Sequence, residues 1–250
     1  RELLPEVAGL TVHRYALPNL RAVNFVIEGV LGRGVADNVR FGSYEMPFNS
    51  DSSFWSDLGF ITRKPMRKTE DVEAYLKLLA DIPRYFDEQT ANMRAGLKRG
   101  FSVPREVLAG RDVSIAAVAD LTDAEKSEFY KPLVELPSTI AVERQEQLRA
   151  QARSVIGDEV IPAFSRLLTF FRDEYMHKAR KTLAAKAMPN GKAWYRQQIH
   201  EYTTLELDAE AIHRIGLDEV ARIHAQMLST MQASGFKGSF AEFLTFLRSD

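Results

Sequence analysis

The side chains best able to do chemistry in this sequence are five histidines, a set of carboxylates and a few serines, because there is no cysteine. That absence removes disulfides, thiolate zinc sites, iron–sulfur clusters and a cysteine nucleophile together. It does not fix the compartment, since cysteine-free chains persist in reducing and oxidising surroundings alike. A histidine-based zinc site on a helix needs imidazoles at i and i+4, which puts both on one face about one turn apart. The His-Glu dipeptide is His200-Glu201, and Thr204 stands where the second histidine would have to be. The motif is therefore not completed here. His213 and His224 share a helical face with Leu217, Val220, Met227 and Met231. Almost three turns separate them, about 16 Å along the axis, too far for one ion. They read more simply as core-edge histidines bonded to backbone or carboxylates than as groups in a cleft.

Other catalytic signatures fail in similar ways. Ser234-Gly235-Phe236-Lys237 spells SxxK, but it falls at a helix end in a glycine loop, where the lysine is not held one turn beyond the serine. The pairs Glu70-Asp71 and Asp218-Glu219 are helix-start charge and solvated face. No GxxxxGK[ST], GxSxG or GxGxxG motif is present. The aromatic and polar stretch from Phe41 to Trp55 has turn formers throughout and reads as an ordered loop. As structure it pins an irregular segment to the body, which is the weightier reading; as function it lines one wall of a cleft.

The elements that must position these residues are helices. Leu20 to Leu31 has helical character that Gly29, Gly32 and Gly34 interrupt. From Thr69, read as an N-cap, an apolar stripe of Val72, Tyr75, Leu76, Leu79, Ile82 and Phe86 predicts a helix that Pro83 kinks and Gly96 and Gly100 end. A second helix is expected after Ser102, with Pro104 in its first turn and Val107, Leu108, Ile115 and Val118 on its face. Thr122 to Glu125 has capping-box spacing, and Ser138 to about Lys186 is long helical territory divided by Gly157 and Pro162. A short helix carries Trp194, Tyr195 and Ile199, and Thr203-Thr204-Leu205 has the β-branched character of a brief extended piece. Asp208 caps a helix reaching Met231, and Ser239 with Glu242 opens a last one. The expected fold is all-α: a multi-helix array with an irregular part over 1–60, a helical body over 69–250 and at most a very short β element.

At 45% hydrophobic and 27% charged, the chain lies in the globular range, and 250 residues accommodate one large domain or two small ones. Basic and acidic residues number 33 and 34, so no net field draws the molecule to nucleic acid or anionic lipid. No uncharged apolar run reaches the roughly 18 residues of a membrane helix, and no secretion signal pattern opens the chain. Both ends look cut: there is no initiator methionine before Arg1, and Asp250 follows directly on an apolar segment. A leader upstream and a further piece downstream are expected.

Several blocks, in order, carry a family resemblance. They are Arg40 to Ser50, Tyr75-Leu76 through Ile82-Pro83 to Gly96 and Gly100, and Pro162 through Phe170 to Glu174-Tyr175 with Ala179-Arg180. The fullest is Pro189-Asn190-Gly191, Tyr195, Thr203-Thr204, Glu210 to His213, Gly216-Leu217 and Glu219 to Ile223, followed by Gly235-Phe236, Gly238 and Phe243. From about residue 40 onward the chain resembles the bacterial family called domain of unknown function 885. His177 departs from the pattern, which usually has proline near that place. The resemblance implies a longer protein, often of the envelope or a lipoprotein, similar to helical zinc peptidases that cleave peptides in a deep channel. The family's HEAxPGHH string lies far downstream of these blocks and is absent here, so no catalytic residue, metal ligand or general base is carried over.

By that resemblance this chain forms part of a channel wall, with the Phe41 to Trp55 loop and the Tyr195 to Thr204 segment facing substrate. The expected substrate-binding residues are Tyr44, Asn49, Trp55, Tyr195, Thr203 and Thr204. Zinc and a peptide substrate are expected of the full-length protein, no cofactor of this chain, no nucleic acid and no membrane contact, and the location expected is the bacterial periplasm or cell envelope. The alternative is a helical peptide-binding or scaffold module without chemistry.

Overall fold

A computed structural model describes residues 39–249, all of them helical or irregular: among the described residues there is no strand, and the nearest approach to one is an isolated bridge between Phe48 and Ser53. The Leu20 to Leu31 segment lies outside the described residues. The elements are α1 (Phe54–Asp57), α2 (Thr69–Arg99), α3 (Val113–Ala119), α4 (Val142–Val155), α5 (Ile161–Phe170), α6 (Met176–Lys178), α7 (Gly191–Thr203), α8 (Ala209–Ala233) and α9 (Phe240–Phe246), with short 3-10 turns between several of them. The chain divides into two compact units between Lys192 and Ala193.

The first unit is built around α2. Its stripe of Val72, Tyr75, Leu76, Leu79, Ile82 and Phe86 is buried as the spacing predicts, and Met93 extends it. Facing it in one core are Ile115 and Val118 of α3 and Phe164, Leu167 and Leu168 of α5. Each such side chain contributes about 1.5–3 kcal/mol on burial. Pro83 lies inside α2, which runs on past it to Arg99. Thr69 is not the cap: it is the first helical residue, and the Asp71 carboxylate accepts from the amides of Lys68 and Arg67 at 3.2 and 2.9 Å. An acidic side chain two residues further in reaches the free donors better than the threonine hydroxyl does.

Gly100, at φ 77°, ends α2 in the left-handed conformation; Gly96 does not end it. A Cβ at Gly96 would lie 2.5 Å from the Phe101 carbonyl oxygen and 2.8 Å from that of Glu45, so glycine there admits two backbone segments. The helix expected after Ser102 is two pieces, a 3-10 turn at Arg105–Val107 and then α3. Gly110, at φ 76°, turns the chain between them. At 122–125 the cap is Asp123, whose carboxylate accepts from Glu125 N at 3.0 Å, and it opens only a 3-10 turn.

From Val142 to Lys178 the helix is continuous, with Gly157 and Pro162 inside it. Two π-turns, Ile156–Val160 and Phe171–Tyr175, join α4 to α5 and α5 to α6. It stops at Lys178, short of Lys186, because the chain leaves to join another segment: Arg180 donates through its backbone N–H to Ser102 Oγ at 3.0 Å and through Nε to Ser102 O at 2.7 Å, while Arg105 N–H donates to Arg180 O at 2.8 Å. In the second unit, Asp208 and Ser239 cap α8 and α9 as their sequence signals require. Thr203-Thr204-Leu205 is not extended: Thr203 closes α7 and Thr204 turns at φ 62°.

Two outcomes test this account of the first unit. Gly96→Ala, which intrinsic propensity alone favours, is expected to lower stability by about 1–3 kcal/mol because the new methyl meets fixed backbone, as read by urea denaturation. The second concerns Tyr175, which burial pushes up to about 12. Its unfolded value is near 10, so its contribution is complete below about pH 10 and disappears as pH rises towards 12. Melting temperature should fall over that window, and less steeply in Tyr175→Phe.

Candidate functional site

The loop from Phe41 to Trp55 is held by two arginines from elsewhere in the chain. Arg99, at the end of α2, pairs with Glu45 at 2.7 Å and donates to the Phe41 carbonyl at 2.9 Å. Arg111 spreads its guanidinium over the carbonyls of Asn49, Ser50 and Ser52, each at 3.1 Å. Within the loop, the Asn49 side-chain oxygen accepts from the amides of Asp51 and Ser52 at 2.7 and 2.8 Å, closing an Asx turn. Phe48, Phe54 and Trp55 go into the core. The Trp55 ring lies 5.2 Å from Phe48 and 5.8 Å from Phe171, and its N–H donates to Ser114 Oγ at 3.0 Å.

The six residues expected to face substrate are thus distributed. Tyr44 and Asn49 are at the surface of the first unit, and Trp55 is inside it with 3% of its area exposed. Tyr195, Thr203 and Thr204 belong to the second unit and are exposed. There the Thr203 hydroxyl donates to Ile199 O at 2.6 Å and accepts from Leu205 N at 3.2 Å, so its bonding serves the end of α7.

The first unit also has a recess of about 390 Å³ that sequence reasoning missed, lined by Arg94, Ser165, Arg166, Thr169, Phe170, Asp173 and Glu174. The π-turn at Phe171–Tyr175 adds a residue to the helical turn and so sets where Asp173 and Glu174 project. Arg94, from α2, lies over the Phe170 ring at 4.7 Å and pairs with Glu174 at 3.0 Å. Burial pushes the Glu174 carboxyl up, but hydrogen bonds and charge from Arg94 and Lys178 outweigh it and hold the group below its ordinary value. The Ser165 hydroxyl donates to backbone, at 3.0 Å from Ile161 O, and Thr169 donates to Ser165 O at 3.0 Å. Neither is paired with a base. The recess therefore offers charge of both signs, with the buried Phe170 ring lying beneath Arg94. Its only sequence signal was an Arg–Glu pair 80 positions apart, which no local spacing reveals.

Among the described residues the histidines do not assemble. His200 Nδ1 lies 3.2 Å from Glu206, and His224 meets the Phe240 ring edge-on at 5.2 Å. Among the described residues, no three His, Asp or Glu side chains come together as a metal-binding group. The zinc that the family resemblance leads one to expect finds no fitting ligand set among these residues. Ser234 donates to Met231 O at 2.7 Å, a helix-end bond, with Gly235 at φ 74° before Lys237.

The described residues thus define a class, an all-helical architecture with a recess charged in both signs, which likeness to known proteins narrows. The family model described as "Bacterial protein of unknown function (DUF885)" matches residues 13–250, and the chain belongs to that family. No curated protein matches it. Among solved structures, the protein titled "the putative lipoprotein from Colwellia psychrerythraea" is similar in fold, with a TM-score of 0.70 at 22% identity over 82% of this chain. The match spans 36% of that lipoprotein's chain.

Because Arg111 holds three loop carbonyls, Arg111→Ala should cost about 1–3 kcal/mol. Hydrogen exchange should then quicken at the amides of Asp51 and Ser52 and stay unchanged in α8.

Proposed function

We propose that this chain is the helical framework, and part of the substrate-channel wall, of a zinc-dependent peptidase-like protein, and that it performs no hydrolysis itself. The observation that carries this reading is a contrast: the family match runs through the whole helical body, yet the described residues gather no set of three zinc ligands. The match to little more than a third of the similar lipoprotein supports a framework share in a larger fold. Zinc, where a complete protein holds it, would polarise the scissile carbonyl and activate water. The residues of this chain would instead bind and orient peptide, with Arg94 and Glu174 fixing the Phe170 face and Arg166 and Asp173 offering one charge of each sign. An envelope location goes with this reading. The similar lipoprotein supports it.

A second reading, a metal-independent peptide-binding module, is favoured by the recess itself, where both hydroxyls are engaged by backbone. Two measurements separate the readings. The purified chain is titrated with zinc and offered a fluorogenic peptide mixture; the natural gene product, made in its own host, is assayed with the same mixture with and without chelator. The framework reading expects no turnover and no zinc affinity tighter than about 1 μM from the chain, and chelator-sensitive hydrolysis from the natural product. Turnover or tight zinc in the chain alone would sink it. A natural product that binds peptide equally well with chelator and cleaves nothing would establish the second reading.

A further inference from the structure

Taken within the second unit, helix α8 has an apolar side that the described residues of that unit leave largely open. Over Ala209–Ala233, Gly216, Val220, Ile223 and Met227 follow one another at intervals of four, three and four residues, with Leu217 on the flank, which is the stripe of a helix meant to be packed. Yet no residue of α8 is buried. Leu217, Val220, Ile223 and Met227 keep 57%, 67%, 45% and 39% of their areas exposed. The opposite face carries Arg214, Asp218, Arg222 and Gln226, so the helix has a true polar side for water. Helix α9 attends to only a little of the problem: Phe240 meets His224 and Phe243 is buried, but Phe246 and Leu247 remain open at 58% and 59%. Exposed apolar surface of this contiguity, several turns long, marks a surface that another polypeptide covers.

The shape of the stripe says what kind of segment fits. Ridges spaced by three and four residues receive the ridges of a second helix, at interaxial distances of about 8–10 Å. Gly216 lies on the stripe, and a Cβ built there would meet nothing within 4 Å, so there is room for close approach. One edge, the flank that carries Leu217, also carries two imidazoles, His213 and His224.

We infer that the stripe formed by Gly216, Leu217, Val220, Ile223 and Met227 is an internal packing surface of the family fold, covered by a further helix of family-fold polypeptide. The occupant is drawn from the part of the fold outside this match, since the similar lipoprotein has nearly two thirds of its chain there. The inference rests on the framework role proposed above, but it concerns packing and is read without any hydrolysis assay.

The cysteine-free sequence supplies the test. Val220→Cys places a single thiol on the stripe, and Ile215→Cys places one on the opposite, solvent-facing side as a control; both positions are more than half exposed, so neither change disturbs a core. Maleimide labelling is timed in the purified 250-residue chain and in the natural gene product in its own host. A photoactivatable cross-linker attached to each thiol then identifies by mass spectrometry what lies against it. In the purified chain both thiols should label fast. In the natural product Val220→Cys should label at least about tenfold more slowly than Ile215→Cys, and its cross-linked peptide should come from family-fold polypeptide outside the matched region. Equal labelling of the two thiols in the natural product overturns the inference. So does a Val220→Cys cross-link to a second copy of residues 1–250, to another segment within residues 1–250, or to an unrelated protein. Failure of the peptidase assay with the cross-link as expected would leave this packing surface standing and remove only the hydrolytic reading.

Discussion

The first unit depends on one buried cluster of aromatic rings that ties two distant stretches of sequence together. Phe48 from the loop, Trp55 from α1, and Phe171 and Tyr175 from the second π-turn lie within 5.2 to 5.8 Å of one another where they touch, with Phe171 and Tyr175 stacked at 16°. Such rings contribute both area and preferred geometry. The Tyr175 hydroxyl is the polar hinge of the cluster. It accepts from Val103 N at 3.2 Å, so a buried backbone donor is satisfied at the same point where the rings meet. From Val103 the order passes to Ser102 and Arg105, which receive and hold Arg180, and so fix where the long helix ends.

The same cluster spans the second π-turn. Phe171 and Tyr175, four positions apart, fall on one side of the helix, where both rings are buried and stacked. The π-turn inserts one residue into the helical turn there. Its outward consequence is that Asp173 and Glu174 project beside Arg94 and Phe170, which makes the recess. The charged groove and the aromatic core are thus two sides of one irregularity.

The all-helical class, the α2 stripe, and the Asp208 and Ser239 caps were legible in the sequence because each is set by residues within one or two turns. The weight placed on Phe41 to Trp55 as a pinned loop also came from local composition, and Phe48, Phe54 and Trp55 are buried accordingly. Where the reading departed from the structure, a distant partner decided. Gly96 looked like a terminator but makes room for Glu45 and Phe101; Lys178 rather than Lys186 ends the long helix because Ser102 captures Arg180. Thr203 and Thr204 carry β-branched side chains, yet the hydroxyl of one bonds back to Ile199 and the other turns the chain, so local propensity lost to helix-end bonding. The recess was invisible for the same reason: its arginine and its carboxylates lie on helices far apart in sequence.

The two units also differ in how they use apolar residues, and that difference bears on function. In the first, the stripes of α2, α3 and α5 find one another, and large side chains such as Phe86, Phe164 and Leu79 are fully enclosed. In the second, α8 has a stripe of equal regularity and buries none of it. Sequence periodicity records that a face is to be covered and is silent on which polypeptide does so. A stripe enclosed within its own unit and a stripe left open in its unit are one sequence signal with different outcomes, and the open one is the face on which the proposed packing surface rests.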